Sequence, residues 1–190
     1  MTSTTWKTDP THTDVQFSAK HMMVTTVRGK FTDVEGELTF DEANPAASAG
    51  TFAVKTASIN SGVEQRDGHL RSADFFDAEQ YPVITFTSTH VEAKRGNDYA
   101  VTGDLTIRDV TRPVTFDVEF LGAYAGFQGR RVGFHATTKI NREDFGLTWN
   151  VALESGGWLV GKEIKLEIDL AMDEVVADAA SEPETAAATA

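Results

Sequence analysis

Val114-Thr115-Phe116-Asp117-Val118-Glu119-Phe120 alternates apolar and polar residues without a break, and a period of two puts its four apolar side chains on one face of an extended strand. The same rhythm recurs at Val15, Phe17 and Ala19 against Gln16, Ser18 and Lys20. Strand-like segments of this kind fall near residues 13–23, 27–41, 49–60, 82–93, 98–108, 112–122, 130–141 and 159–172, about eight in all. Turn chemistry separates them: Asn44-Pro45, Arg95-Gly96-Asn97-Asp98, Arg108-Asp109, and the stretch from Gly126 to Gly129. Short links between neighbours imply antiparallel hairpins. Pro113 is placed at a strand start, where its missing donor is harmless.

Two connections are too long for turns. Residues 61–82 contain Gln65-Arg66-Asp67-Gly68-His69-Leu70-Arg71-Ser72-Ala73-Asp74-Phe75-Phe76, a charged stretch that reads as a short helical insert with Leu70, Phe75 and Phe76 folding back over an apolar opening. Residues 141–158 carry Arg142, Asp144, Phe145, Trp149 and Trp158. Long ordered loops in compact domains are frequently lids or binding elements.

A chain of 190 residues suffices for one all-β domain with a sizeable core. The net charge of −12 argues against a nucleic-acid surface, which needs clustered Lys and Arg, and disfavours anionic membranes for the same reason. With no cysteine, disulfides, thiolate nucleophiles and Cys-ligated metals are excluded. No apolar run approaches the roughly 20 residues of a membrane span. The residues from Met1 to Lys7 lack the basic and apolar regions of a signal peptide, so the expected location is cytoplasmic. Residues 173–190 hold five acids, no base and mostly small side chains; they bury too little to offset chain entropy and are expected to be a disordered acidic tail beside a folded domain of residues 1–172. A homodimer is a compatible assembly.

Eight antiparallel strands, each apolar on one face, either pack as two sheets or close into a barrel that has no edges. At eight strands a barrel is filled by side chains or holds one small ligand. Phe17, Phe31, Phe52, Phe86, Phe116, Phe134 and Ile140 are large interior candidates, whereas Ala19, Gly36, Gly103 and Ala136 leave room. Pattern alone is equally compatible with a packed sandwich.

Six stretches in order resemble the YceI-like family of lipocalin-like, polyisoprenoid-binding barrels: Trp6 with Asp9-Pro10 and His12; Phe17 with His21; Gly29-Lys30-Phe31 with Gly36; Arg66-Asp67, His69-Leu70, Asp74-Phe75-Phe76-Asp77 and Tyr81-Pro82; Gly103 to Ile107 with Val110-Thr111-Arg112-Pro113-Val114; and Ile140-Asn141-Arg142 with Asp144-Phe145-Gly146-Leu147. The resemblance implies an all-β fold, an eight-stranded antiparallel lipocalin-like β-barrel with a short helical insert, whose interior binds an isoprenoid or fatty-acyl lipid. Many relatives look exported, and this chain shows no leader, so a periplasmic role is not carried over.

A lipid tail suits such an interior. At roughly 0.8 kcal/mol per methylene-sized group, each isoprene unit contributes about 4 kcal/mol before ordering costs, so two or three units already reach micromolar affinity. Phe17, Phe52, Phe86, Val101, Phe116 and Phe134 are the expected tail contacts. Arg66, His69, Arg71 and Arg142 are candidates for a polar or phosphorylated head group. The alternative for Arg66 and Arg142 is pairing with Asp67 and Asp144 as loop staples. His21 shares the inward phase of Phe17; a buried, internally satisfied imidazole is the leading reading and a hydrogen bond to a head group the second. His12 and Asp14 lack further ligands at metal spacing. No nucleophile elbow, phosphate loop or dinucleotide motif is present, and no motif calls for a cofactor. The expected protein is a non-enzymatic carrier or sequestering protein for a polyprenyl phosphate or isoprenoid quinone. The rivals are an enzyme on such a lipid using Asp67 and His69 as acid and base, and a filled barrel serving as a stress-response or interaction module.

Overall fold

The computed structural model describes residues 4–41, 43–126, 129–154 and 156–176. Among the described residues, eleven strand segments and one α-helix follow in the order β1 (Thr4–Thr8), β2 (Asp14–His21), β3 (Thr25–Phe31), β4 (Val34–Phe40), β5 (Ala49–Lys55), β6 (Ile59–Asn60), α1 (Glu64–Arg71), β7 (Val83–Ala93), β8 (Asp98–Ile107), β9 (Val110–Gly126), β10 (Gly129–Asn141) and β11 (Val160–Glu174). Every ladder is antiparallel, running β1-β4-β5-β7-β8-β9-β10-β11, and β1 pairs with β11 to close an eight-stranded barrel. Strands β2, β3 and β6 continue the sheet from the other half of β11. In sequence terms β1/β2, β3/β4 and β5/β6 are three long strands, each broken once.

Tertiary contacts cause the breaks, so alternation alone reads straight through two of them. The segment expected as a single strand over 27–41 is interrupted at Thr32 and Asp33, whose amides donate to Ser58. The 49–60 segment is interrupted at Thr56–Ser58 by a 3₁₀ turn, where the Thr56 hydroxyl donates to Tyr81 O at 2.7 Å. Pro113 lies inside β9 rather than at its start. It pairs with Asp104 on one side, while β10 reaches β9 only from Asp117 onward, so the missing N–H falls where no ladder needs it.

Strand β1 lies ahead of the first alternating segment. Its Trp6 is only 1% exposed and forms one core cluster with Phe40, Val132, Phe134 and Met172. The second cluster, Phe31, Ile59, Phe75, Ile84, Leu105, Ile107, Phe145 and Leu147, lies toward the end that carries α1 and the 142–159 connection. The two clusters occupy opposite ends of the barrel and leave its middle to a cavity.

The bend between β1 and β2 is fastened to the closing seam. Asp9 accepts from Thr11 N at 2.9 Å and Thr11 Oγ1 at 2.6 Å, and lies 2.6 Å from His12 Nδ1 and 2.7 Å from Arg131 Nη2. The Thr11 hydrogen bonds first, then His12 and Arg131, hold the Asp9 carboxyl well below the usual carboxylate range. Arg131 also pairs with Asp173, 2.7 Å away. Asp173 and Glu174 are therefore part of β11, opposite Lys7 and Trp6, and the expected domain boundary at 172/173 moves outward. Of the expected tail, residues 177–190 lie outside the described residues, as does part of the turn from Gly126 to Gly129.

Two outcomes follow from this seam. Deleting residues 177–190 leaves Tm within about a degree, whereas deleting 173–190 lowers it by about 5 °C, because the β1–β11 pairing and the Arg131–Asp173 contact go with it; calorimetry compares the two. Asp9→Asn costs about 2 kcal/mol at neutral pH. A carboxyl depressed in the folded state stabilises fully above its unfolded value near pH 4 and progressively less as pH falls below it. The stability gap between wild type and Asp9→Asn in denaturant titrations is therefore wide at pH 7 and narrows toward pH 2.

Candidate functional site

Between the two core clusters lies a cavity of about 820 Å³, within the roughly 300–1,000 Å³ of ordinary small-molecule sites. At about 30 Å³ per water-sized group, it has room for on the order of 25 non-hydrogen atoms, more than two or three isoprene units require. Its wall is almost wholly aliphatic and aromatic.

The cavity stays open because its phenylalanines lie against the wall. Phe17 is the register partner of Gly29, and a Cβ on that glycine would stand 2.5 Å from Phe17 Cζ. The Phe52 ring occupies the place of a Cβ on its partner Gly36, and a Cβ on Gly103 would come within 2.5 Å of Phe86 Cζ. Phe86 also meets Phe116 edge-on, with centroids 5.1 Å apart. All six expected tail contacts (Phe17, Phe52, Phe86, Val101, Phe116 and Phe134) line this space, and so do His21, Arg66, His69 and Arg142. Sequence reading passed over Ile164, Leu166, Ile168 and Leu170 of β11, which also line it and whose period-two spacing carried the same signal as Phe116.

The polar residues gather toward the α1 end, where the exposed Lys20, Val63 and Gln65 form part of the lining and define a mouth. Helix α1 carries Glu64 and Asp67 in its first turn and His69 and Arg71 in its last, each sign matching the helix dipole. Ser61 fixes its start. Asp67 accepts from Ser61 N at 2.8 Å and from Ser61 Oγ, while Arg66 donates through Nε to Ser61 Oγ at 2.7 Å and through Nη2 to Ser61 O at 2.9 Å. Arg66 and Asp67 thus share a serine instead of pairing directly. Arg71 clamps the preceding turn by donating to Ala57 O and Ile59 O.

His69 Nε2 lies 2.9 Å from Asp74 Oδ2, and its ring stands edge-on to Trp149 and Phe75, with centroids at 4.5 and 5.1 Å. It therefore ties α1 to the 142–159 connection. Asp67 and His69, two apart on a helix, point to different partners, Ser61 and Asp74. His21 is half-buried at the mouth, and among the described residues no hydrogen bond to its ring is found. That replaces the expectation of a buried, satisfied imidazole.

Arg142 is 3% exposed. Its guanidinium donates to the carbonyls of Gly161 (3.0 Å), Trp149 (3.0 Å), Val160 (3.4 Å) and Leu147. Burial is the first cause of its lowered pKa, opposed by Glu143. It is a staple, but for backbone carbonyls and not for Asp144, which lies 3.3 Å from Asn141 Nδ2. His12 and Asp14 go to separate partners, Asp9 and Lys30. Among the described residues no three His, Asp or Glu side chains are placed to hold a metal, and no helix is long and apolar enough to cross a membrane.

A closed antiparallel barrel around an apolar cavity, with a helix and a long connection at one end, is a lipocalin-like architecture. The sequence matches the YceI-like domain over residues 6–172, and the chain belongs to the YceI-like family. It is 40% identical over 161 residues to a UPF0312 protein of Staphylococcus epidermidis, covering 84% of this chain and 91% of that one. It is 42% identical over 137 residues to the protein YceI of Escherichia coli, covering 72% of this chain and 71% of that one. Among solved structures it is similar to Burkholderia cenocepacia BcnA, with TM-score 0.75 and 26% identity over 86% of this chain and 98% of that one. A polyisoprenoid binding domain from Saccharophagus degradans shares the fold, with TM-score 0.65 and 16% identity over 92% of this chain and all of that one, 100%.

Arg142→Ala strands several buried carbonyls and is expected to destabilise by about 3 kcal/mol or more. Hydrogen exchange should rise first over residues 147–160. A variant with unchanged stability and exchange would show that Arg142 does not hold this connection.

Proposed function

We propose that the protein sequesters or carries one isoprenoid or fatty-acyl lipid, with a polyprenyl phosphate or an isoprenoid quinone as the ligand class. The observation that carries this reading is the 820 Å³ largely apolar cavity, kept hollow by rings seated on glycines, with its cationic and imidazole side chains toward the mouth. The Saccharophagus degradans domain is described as polyisoprenoid-binding, which supports the same assignment. Phe17, Phe52, Phe86, Val101, Phe116 and Phe134 receive the tail. The head group sits near Arg66, His69 and His21, and Arg142 contributes by holding the connection that carries Trp149.

A carrier is favoured over an enzyme because the one acid–base pair the sequence offers is dissolved by geometry: Asp67 is 3% exposed and fastened to Ser61, and His69 faces Asp74. A filled barrel is disfavoured by the volume itself.

Mass spectrometry of the gently purified protein identifies any retained lipid. An isoprenoid quinone is expected to quench Trp149 saturably at about one site per chain. Phe116→Asp places a carboxylate in the apolar wall and abolishes that titration, whereas Thr115→Asp, on the exposed face, leaves it intact. Arg66→Ala weakens polyprenyl phosphate more than quinone, by about tenfold to a hundredfold. Equal tolerance of aspartate at 115 and 116 would overturn the assignment.

A further inference from the structure

Three segments at the cavity mouth expose apolar side chains together. Met22, Met23 and Val24 form the loop between β2 and β3 and are 48, 63 and 79% exposed; Trp158 is 47% exposed and Val151 45%. Backbone contacts hold them side by side: Met22 N donates to Leu159 O at 2.8 Å, Leu159 N donates to Val151 O at 2.9 Å, and Trp158 bridges to Ala152. A Cβ on Gly157 would stand 3.3 Å from Met23 Cγ. The neighbouring residues His21, Leu159 and Val160 line the cavity, so the patch borders its entrance.

The loop conformation at this patch is one that long side chains seldom adopt. Met22 and Met23 have φ of 50° and 67°, and Val24 N closes the turn on His21 O. Two consecutive left-handed residues in a hairpin loop are the setting in which Asn and Gly are favoured and long side chains are strained. The chain instead carries two of its four methionines there, facing solvent. Strain at an exposed apolar tip points to a function for the side chains rather than the turn.

Charge selects the partner. From Val15 to Thr32 there is no acid, but there are Lys20, Arg28, Lys30 and His21, in a protein of net charge −12. Toward its tip the β2–β3 hairpin carries Lys20, His21 and Arg28 and no acid; its one acid, Asp14, lies at the opposite end, paired with Lys30, and most acids lie elsewhere. An acidic protein with one such end is oriented mouth-first toward a surface of lipid phosphates, with methionine, valine and indole entering the interface. A ligand too apolar to leave a bilayer through water also requires the mouth to meet the bilayer.

Resting on the lipid-carrier reading above, we propose that the Met22–Met23 tip, with Val24, Val151 and Trp158, docks the cavity mouth onto a phospholipid bilayer for loading and release.

The test uses the full chain and cargo-free vesicles of phosphatidylcholine with a minority of phosphatidylglycerol. Wild type is expected to co-sediment with them, with a blue shift in tryptophan emission that Trp158→Phe removes. The double variant Met22→Asn/Met23→Gly removes the apolar tip while suiting the left-handed turn, so its Tm is expected to hold or rise. Its vesicle affinity is expected to fall at least about tenfold, while its affinity for a short, water-dispersible prenyl quinone is unchanged. Undiminished vesicle binding by the double variant would overturn the proposal. So would wild type that binds the quinone but no vesicle, or that forms a concentration-dependent dimer through this tip in place of vesicle binding. Wild type that binds vesicles but no quinone would instead overturn the cargo on which the proposal rests.

Discussion

The hollow interior depends on aromatic rings lying over glycines across the sheet. Phe17 on Gly29, Phe52 on Gly36 and Phe86 on Gly103 each occupy space that a Cβ would claim. A phenylalanine projecting from a barrel strand would ordinarily reach toward the axis, and eight strands enclose little more than side chains can fill. Laying the ring down transfers its volume to the wall. The glycines therefore do more than leave room by being small; they set the direction of the largest side chains, and the lumen is what remains.

The remaining aromatics close the ends. Phe40, Phe120 and Phe134 meet with centroids 5.2 to 5.3 Å apart around the buried Trp6, and this cluster sits at the end where β1 zips to β11. At the other end the two long connections bring α1, Phe75, Phe145 and Leu147 over the strands. Both long connections fall at that end, where the other links between strands, 22–24 and 108–109, are short turns. That asymmetry gives the cavity one ordered base and one built mouth.

Much of this was legible in the chain. Alternation located eight strand segments to within a few residues, two of them each split in the structure, and the charged stretch from Gln65 to Phe76 overlaps the helix Glu64–Arg71. Closure and hollowness were not legible from pattern, since a sandwich has the same period. Nor were the strand breaks, because they are imposed by Ser58 and Tyr81 from distant parts of the sequence. Strand β1 escaped because five residues with one buried tryptophan show no alternation to read. The Met22–Met23 turn carries neither the Asn nor the Gly that marks such a hairpin. Arg142 was recognised as a motif residue, but its partners are main-chain carbonyls, which are the same in every sequence.

That last point bears on how the mouth is built. Arg66 donates to Ser61 O, Arg142 to the carbonyls of Leu147 and Trp149, and Arg71 to those of Ala57 and Ile59 just ahead of the first long connection, using the planar, multi-donor guanidinium to fasten mostly irregular chain. Arg142 is spent almost entirely in this way, whereas Arg66 commits only two of its three nitrogens. These three arginines are thus first a scaffold, and among them Arg66 keeps a guanidinium nitrogen uncommitted for a ligand. A site of this construction gains most of its binding from apolar wall and little from its rim, so it discriminates by the length and flexibility of the chain it encloses more than by the group left at the opening.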